Sequence, residues 1–255
     1  MRRTTVRRTA LAASALSLAL LVTACGSDEP AAKDKAKSEA TKGAPAAPAA
    51  KALSQAELDK LMLEQADLPN HKITPAGKVD LVAAKGTKAD KAECTPLVDV
   101  MALRAGGTPA ASAGRKIMGI PKDPAKDASP EEKLKAAMDA LSGTITGDVV
   151  ASYEGQEAAD VLAAIKKAGT DCAGGLTVTV PGEKVKVTKV EPASYTAGDE
   201  AVAYTVSVDL EGKPSTAHLV AIRKGGIVAS FFAQSLAGSA DQPKAVIDAQ
   251  VKKLG

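Results

Sequence analysis

Residues 201–222 read AVAYTVSVDLEGKPSTAHLVAI, and the pattern of this segment is the strongest indication of the fold class. The valines at even positions and Tyr204 alternate with smaller or polar residues up to position 208. A period of two is typical of a strand that has one buried face and one wetter face. The turn residues EGKP at 211–214 then separate this strand from a second apolar run. The stretch therefore predicts an antiparallel β-hairpin.

Further strands and helices are predicted on both sides of this hairpin. Strand patterns cover residues 72–82, 144–154, 176–180, 185–190 and 227–233. Helical stripes, some of them introduced by capping residues, cover residues 54–65, 95–106, 129–143, 156–168 and 241–254. Residues 108–128 show no period and are predicted to be loop. The sum is an α+β fold in which helices pack on one face of an antiparallel β-sheet.

Residues 1–24 have the pattern of a lipoprotein signal peptide. Residues 1–8 hold four arginines and no acid, and residues 9–24 form an uncharged apolar run that is too short to span a bilayer. The run leads into LVTACG at 21–26, which resembles the lipobox of bacterial lipoproteins. That resemblance implies cleavage before Cys25 and a diacylglycerol on its thiol. The alternative is an ordinary secretory signal that a cysteine follows by chance.

The lipobox divides the rest of the chain into two parts. Residues 25–52 comprise the lipidated Cys25 and a tether, and within 27–51 no apolar residue is larger than Ala or Pro. Such a segment cannot bury enough surface to become ordered, so the tether is predicted to be disordered. Residues 53–255 form one α+β domain. We expect this domain at the extracytoplasmic face of the cell membrane, where the lipid anchor holds it.

Charge and composition exclude one class of function. Four of the 33 lysines and arginines lie in the signal peptide, which leaves 29 basic against 30 acidic residues in the remaining chain. A nucleic-acid-binding protein needs a concentrated positive surface, so no nucleic-acid partner is expected. Aromatic residues make up only 2% of the chain, and tryptophan is missing. This scarcity argues against stacking platforms for bases or sugar rings.

Cys94 and Cys172 are the two cysteines outside the lipobox. Exported proteins meet an oxidising environment, so a disulfide between the two is the expected state. Each cysteine lies at the end of a predicted helix, where side chains from different elements can meet. The alternatives are metal binding and nucleophilic catalysis, but neither cysteine has a suitable partner at ligand spacing. No metal and no cofactor is therefore expected.

The order of elements resembles the extracytoplasmic sensor domain of actinobacterial membrane Ser/Thr kinases and the free lipoproteins that share its fold. The similarity spans residues 53–254. It rests on an opening helix that ends in Asp67-Leu68-Pro69, a strand that ends in VVASY at 149–153, and an Ala-rich helix before Cys172. The family often has two disulfides, whereas this chain has cysteines for one, and it holds no kinase segment. The resemblance implies binding of a ligand or partner without chemistry.

The sequence shows no catalytic motif. Nucleophile elbows, metalloprotease helices and phosphate-binding Gly-rich loops are all missing, and the two histidines, His71 and His218, fall in a turn and a strand. The leading hypothesis is a non-enzymatic, lipid-anchored protein that binds a small apolar ligand, a lipid or an envelope protein. One alternative is a cell-envelope hydrolase with a dispersed active site. The other is a structural interaction protein of the envelope.

Three aromatic side chains are the candidates for contacting a ligand. Phe231 and Phe232 place one ring on each face of the last strand, and Tyr204 lies in the central hairpin. A sheet face that the helices leave partly uncovered would bring one of these rings to the wall of a groove. The alternative is that all three rings pack in the core.

Overall fold

A computed structural model describes residues 51–121, 124–141, 143–210, 212–235 and 238–255. The expectations for the signal peptide and for Cys25 lie outside these residues, as does all of the tether before residue 51. Among the described residues, no helix combines the length and the apolar composition that a membrane crossing requires.

The described residues form six α-helices and nine strands. The helices are α1 (Gln55–Leu61), α2 (Lys78–Gly86), α3 (Thr95–Met101), α4 (Pro130–Leu141), α5 (Glu157–Asp171) and α6 (Lys244–Leu254). The strands are β1 (His71–Pro75), β2 (Lys88–Ala89), β3 (Ala111–Gly119), β4 (Thr144–Ser152), β5 (Leu176–Val180), β6 (Glu183–Ala193), β7 (Glu200–Leu210), β8 (Lys213–Lys224) and β9 (Ile227–Ser235).

All nine strands join one sheet in the order β1-β3-β4-β9-β8-β7-β6-β5-β2, and every neighbouring pair is antiparallel. The predicted central hairpin is the β7–β8 pair, in which Tyr204 lies opposite Leu219. The predicted α+β class with an antiparallel sheet is confirmed.

The helices lie against both faces of the sheet, which corrects the expectation that they pack on one. The first face carries Tyr204 and packs against α3 and α5. The second face carries Phe231 and packs against α1 and α6. The expected wetter side of β7 is partly buried because its small residues, such as Ala203, allow the helices on the second face to come close. The sheet is therefore the middle layer of three.

A disulfide and a glycine hold α5 against the first face. Cys94, directly before α3, bonds to Cys172, directly after α5, with a Cα–Cα distance of 5.9 Å. Gly169 of α5 lies so close to the ring of Tyr204 that an added Cβ would collide with it. A residue without a side chain at this position allows the helix backbone to rest on the tyrosine ring.

The second face is closed by the two ends of the described domain. The backbone N–H of Ser54 donates to Glu57 Oε2 at 2.8 Å, which is the predicted cap at the start of α1. Leu58 of α1 and Ile247 of α6 are fully buried in the same cluster. The backbone N–H of Leu53 donates to Ser152 Oγ at 2.9 Å. This bond places the start of the domain at the end of the sheet where β4 ends.

Two predictions about local structure are wrong. Residues 108–128, which were predicted to be loop, contain β3, and this strand pairs with β1 and β4. Its side chains on the second face are Ala, Arg, one Ile and Gly, so they do not form the apolar alternation that is typical of a strand. Residues 78–82 belong to α2 rather than to a strand, because the backbone N–H of Gly77 donates to Asp80 Oδ2 at 2.7 Å and caps the helix. Pairing with neighbouring strands decided the first case, and a local cap decided the second.

Candidate functional site

A cavity of about 380 Å³ opens on the first face. It lies at the end of the sheet that holds the β5–β6 turn and the β7–β8 turn. We call it the valine cavity. Strand residues form its floor, and the end of α2 and the end of α3 form its side. Its lining consists of Thr87, Met101, Ala102, Val178, Val180, Glu183, Val185, Val187, Val206, Val208, Leu210, Ser215, Ala217, Phe232, Gln234 and Ser235.

The valine cavity exists because the helices cover the first face unevenly. On β7, the ring of Tyr204 meets α5 at Gly169, so that part of the strand is sealed. Val206 and Val208 follow on the same face but line the cavity instead. α3 ends at Met101 and does not extend over them. The alternating apolar pattern therefore continues past the point where a helix packs against it.

The polar groups in the wall are largely used within the protein. Ser215 Oγ donates to the carbonyl oxygen of Gly238 at 2.6 Å, and Thr87 Oγ1 donates to the carbonyl oxygen of Ala83 at 2.9 Å. Among the described lining residues, Glu183 is the only charged one, and it is exposed. A cavity with mainly apolar walls and few available hydrogen-bonding groups suits an apolar ligand.

The structure separates the three aromatic residues that were expected to contact a ligand. Phe232 is 8% exposed and lines the valine cavity. Phe231 is 0% exposed and lies in the core of the second face. Tyr204 is buried beneath α5, and its hydroxyl donates to the carbonyl oxygen of Lys166 at 3.2 Å. Burial raises the pKa of this hydroxyl. Phe231 and Tyr204 are therefore removed from the candidate site, and Phe232 stays in it.

Most of the wall was not singled out from the sequence. Val206 and Val208 belong to the apolar alternation that predicts β7, so their burial was expected but not their place in a cavity. Ala217 on β8 and Met101 at the end of α3 gave no signal of their own. A strand pattern shows which side chains face a core, but it does not show where the covering helix stops.

A second cavity of about 210 Å³ adjoins the first, and we call it the lysine cavity. Both cavities are lined by Thr87, Met101, Ala102, Phe232 and Gln234. Beyond these shared residues the lysine cavity is bounded by a charged pair, in which Lys116 Nζ of β3 lies 2.8 Å from Asp80 Oδ1 of α2. The hydrogen bond from Lys116 is the main cause that lowers the pKa of Asp80.

Asp148 of β4 is a buried carboxyl group with a strongly raised pKa, and the sequence did not reveal it. Its side chain is 0% exposed on the second face, and within the described residues neither carboxyl oxygen has a hydrogen-bond partner. Burial raises its pKa from 3.8 to about 8, although the charge of Arg115, which lies opposite on β3, lowers it. The guanidinium of Arg115 donates to the carbonyl oxygen of Leu63 at 3.2 Å instead. Asp148 lies outside both cavities.

The two histidines lie away from the valine cavity. His71 begins β1, and Nε2 of His218 on β8 lies 3.2 Å from the carbonyl oxygen of Ala240. Within the part of the chain that the structure describes, no three His, Cys, Asp or Glu residues are grouped to hold a metal ion. The arrangement on the first face can enclose a ligand, and the hydroxyls of Ser215 and Thr87 in its wall donate to backbone carbonyl oxygens rather than to a base.

Comparisons with known proteins returned structural likenesses at low sequence identity. No protein-family model and no curated protein sequence matches the chain. The structure is similar to the extracellular domain of PknH from Mycobacterium tuberculosis, with a TM-score of 0.48 and 11% identity over 80% of this chain and 96% of that one. It is also similar to a putative uncharacterized protein, an Rv0999 ortholog, from Mycobacterium smegmatis, with a TM-score of 0.32 and 13% identity over 78% of this chain and 93% of that one. At such TM-scores neither of them decides what this chain does.

Proposed function

We propose that the chain is a lipid-anchored, extracytoplasmic, sensor-like protein that binds an apolar ligand in the valine cavity without catalysing a reaction. The observation that carries the proposal is the cavity itself, with about 380 Å³ of space and walls built from valines, Phe232 and Met101. Its volume lies within the range of small-molecule sites in proteins. Burial of apolar ligand surface against these walls supplies the affinity.

The proposal that the protein is not an enzyme is supported by the chemistry of the wall. Acyl transfer or hydrolysis needs a nucleophile that is activated by a nearby base. The hydroxyls of Ser215 and Thr87 instead donate to backbone carbonyl oxygens. Glu183 lies exposed at the turn between β5 and β6, where water keeps a carboxylate an ordinary surface charge. The alternative of a cell-envelope hydrolase gains no support from the residues around the cavity.

The proposed location is supported by the lipobox at Cys25. Two or more acyl chains give stable membrane attachment, whereas one chain is marginal. The described domain begins beside Ser152, at one end of the sheet, and the valine cavity opens near Ser235, at the other end. A domain that is tethered from one end and opens at the other keeps its cavity accessible.

A second candidate function, binding of an envelope protein, is favoured by the surface of α2. This helix turns Ala83 and Ala84 toward the lysine cavity and leaves Val79 82%, Leu81 52% and Val82 69% exposed. Apolar residues that cluster on an exposed helix often mark interaction surfaces. The two functions are compatible, because the ligand and the partner would contact opposite sides of α2.

The proposal is tested by measuring how dodecanol binds to the purified full chain with Cys25→Ser. This substitution removes the proposed lipid attachment site, so the protein's own acyl chains cannot occupy the cavity. Phe232→Ala removes part of the wall and is expected to weaken binding by about tenfold or more, measured by isothermal titration calorimetry. The matched control is Phe231→Ala, which deletes the same side chain one residue away on the other face. This control is expected to lose about 3 to 5 kcal/mol of unfolding free energy and to keep the affinity of its folded fraction.

A filling variant gives independent support. Ala217→Leu places a larger side chain on the floor of the valine cavity and is expected to reduce dodecanol binding without unfolding the domain. If dodecanol does not bind the reference chain, or if Phe231→Ala and Phe232→Ala reduce binding equally, the cavity is not a ligand site. Native mass spectrometry of the chain purified from its own envelope would then show whether a protein partner is bound instead.

A further inference from the structure

The valine cavity and the lysine cavity differ in chemistry although they adjoin. The first has mainly apolar walls, in which valine is the most frequent residue, whereas the second is bounded by Asp80 and Lys116. Phe232 and Gln234, on the same face of β9, line both of them. A ligand that enters one cavity therefore reaches the border of the other. Two adjoining spaces, one apolar and one charged, match the two ends of an amphiphile.

The hydrogen-bonding capacity of the lysine cavity shows which head group it suits. Asp80 uses both carboxyl oxygens, because Oδ1 accepts from Lys116 and Oδ2 accepts from the backbone N–H of Gly77. The ammonium group of Lys116 has three N–H donors, and within the described residues one of them is used, in the bond to Asp80. The side chain of Lys116 is 41% exposed, so its remaining N–H donors are accessible to a ligand. Lys116 therefore keeps N–H donors for a ligand, whereas each carboxyl oxygen of Asp80 already accepts one hydrogen bond.

Gln234 adds a second polar group at the border. It is exposed at the end of β9, and within the described residues its amide makes no hydrogen bond. An amide at this place can donate to an oxygen of a head group that passes Phe232. Gln234 and Lys116 are therefore two hydrogen-bonding side chains in the lining of the lysine cavity.

The dimensions allow a chain to span both spaces. The linings extend across neighbouring strands from Val185 on β6 to Lys116 on β3. These strands are separated by five intervals in the sheet order. At about 4.8 Å for each interval the distance is about 24 Å, which is enough for an extended acyl chain and its head group.

We infer that the ligand of the proposed binding function is a single-chain amphiphile whose apolar tail fills the valine cavity and whose anionic head group binds Lys116 in the lysine cavity. This inference rests on the proposed function, since it assigns the chemistry of the same site. A carboxylate and a phosphate monoester share the required chemistry, because both present negatively charged oxygens to the ammonium group. The neutral alcohol of the same chain length has no negatively charged oxygen.

The test compares dodecanoate, dodecyl phosphate and dodecanol as ligands of the full chain with Cys25→Ser, by isothermal titration calorimetry at one ionic strength. Both anions are expected to bind about fivefold or more tightly than dodecanol, and Lys116→Gln is expected to remove this advantage while it leaves dodecanol binding unchanged. Hexanoate, whose tail is too short to fill the valine cavity from Lys116, is expected to bind far more weakly than dodecanoate. Whichever anion binds more tightly identifies the head group.

The matched variant is Asp80→Asn, which breaks the same ion pair from its other side. Release of Lys116 is expected to keep or increase the affinity for dodecanoate. If Lys116→Gln and Asp80→Asn weaken binding alike, the pair only supports α2, and the head-group assignment is overturned.

The outcomes separate this inference from the proposed function. Equal binding of dodecanol and the two anions, with Phe232→Ala still weakening all three, overturns the anionic head group and leaves the apolar cavity in place. Failure of all three ligands to bind overturns the proposed function itself. A blocking variant, Ala83→Phe in the wall of the lysine cavity, should reduce binding of the anions more than that of dodecanol. Ala164→Phe, at an exposed position of α5, serves as its control.

Discussion

Replacement of Asp148 by Asn is expected to make the domain more stable at neutral pH and to remove part of its pH dependence. The carboxyl group is fully buried, and within the described residues it has no hydrogen-bond partner. Burial disfavours the charged form, so the pKa of Asp148 rises from 3.8 to about 8 in the folded protein. Asn has the same shape and stays neutral at every pH. The variant therefore resembles the protonated form of the native residue.

The magnitude follows from proton linkage. Below pH 3.8 the folded and the unfolded chain both hold the proton, and the carboxyl group causes no loss of stability. Between 3.8 and about 8 the unfolded chain releases the proton and the folded chain keeps it, so stability falls as the pH rises. Each pH unit is equivalent to about 1.4 kcal/mol, which gives a loss of about 3 kcal/mol between about pH 5 and pH 7. Above about 8 the loss is complete.

The assay is urea unfolding of the native chain and of Asp148→Asn at several pH values between about 5 and 8, with the disulfide intact. The difference between the two unfolding free energies isolates this group, because the other titrating groups are common to both chains. We expect the difference to grow by about 3 kcal/mol over two pH units near neutrality. Asp160→Asn, at an exposed position of α5, controls for the loss of a negative charge. A difference that stays constant with pH would show instead that Asp148 is already ionised in the folded protein, and the raised pKa would then be wrong.

Three further predictions concern the covalent links and the packing of α5. Replacement of both Cys94 and Cys172 by Ser is expected to lower the unfolding free energy by about 4 kcal/mol, because the disulfide closes a loop of 78 residues. Urea unfolding measures this loss. Equal stability of the native chain with and without reductant would contradict the prediction. Gly169→Ala is expected to destabilise the domain by about 1 to 3 kcal/mol despite the better helix propensity, because its Cβ meets the tyrosine ring below α5. Gly174→Ala is the control for that measurement, because its Cβ meets nothing within 4 Å, and a similar loss in both variants would show that the close contact is not responsible. Cys25→Ser is expected to move the chain from the membrane to the aqueous fraction in detergent-phase partition, whereas unchanged partition would exclude the lipid anchor.

The elements that the sequence predicted well are those with strong local patterns. The alternation around Tyr204 identified β7, and the cap at Ser54 marked the start of α1 within one residue. β3 was missed because it combines small and charged residues and is held by two neighbouring strands rather than by its own pattern. Strand formation there depends on partners that are close in space but far along the chain.

The candidate site was only partly predictable for a related reason. Alternation placed Phe231 and Phe232 on opposite faces, but the pattern does not show which face has an uncovered part. The end of α3 at Met101 and the close approach of α5 at Gly169 decide where the cover stops. Both features are contacts between elements. They depend on the exact size of single side chains, such as the missing side chain of Gly169, and not on how apolar a segment is on average.

Local sequence patterns were enough to predict the α+β class, the central hairpin and an export signal with a lipid attachment site at Cys25. The class and the hairpin follow from patterns of residues that are neighbours in the chain, and the lipid attachment is what the resemblance to a lipobox implies. Three features emerged only from the packing of complete elements: helices cover both faces, Phe232 lines the valine cavity, and Asp148 is buried without a hydrogen-bond partner among the described residues. Burial and cavity walls arise from contacts such as that between Leu53 and Ser152, which are 99 residues apart. Such contacts depend on how complete elements pack, because the free energy of burial belongs to the assembled layers and not to any one segment.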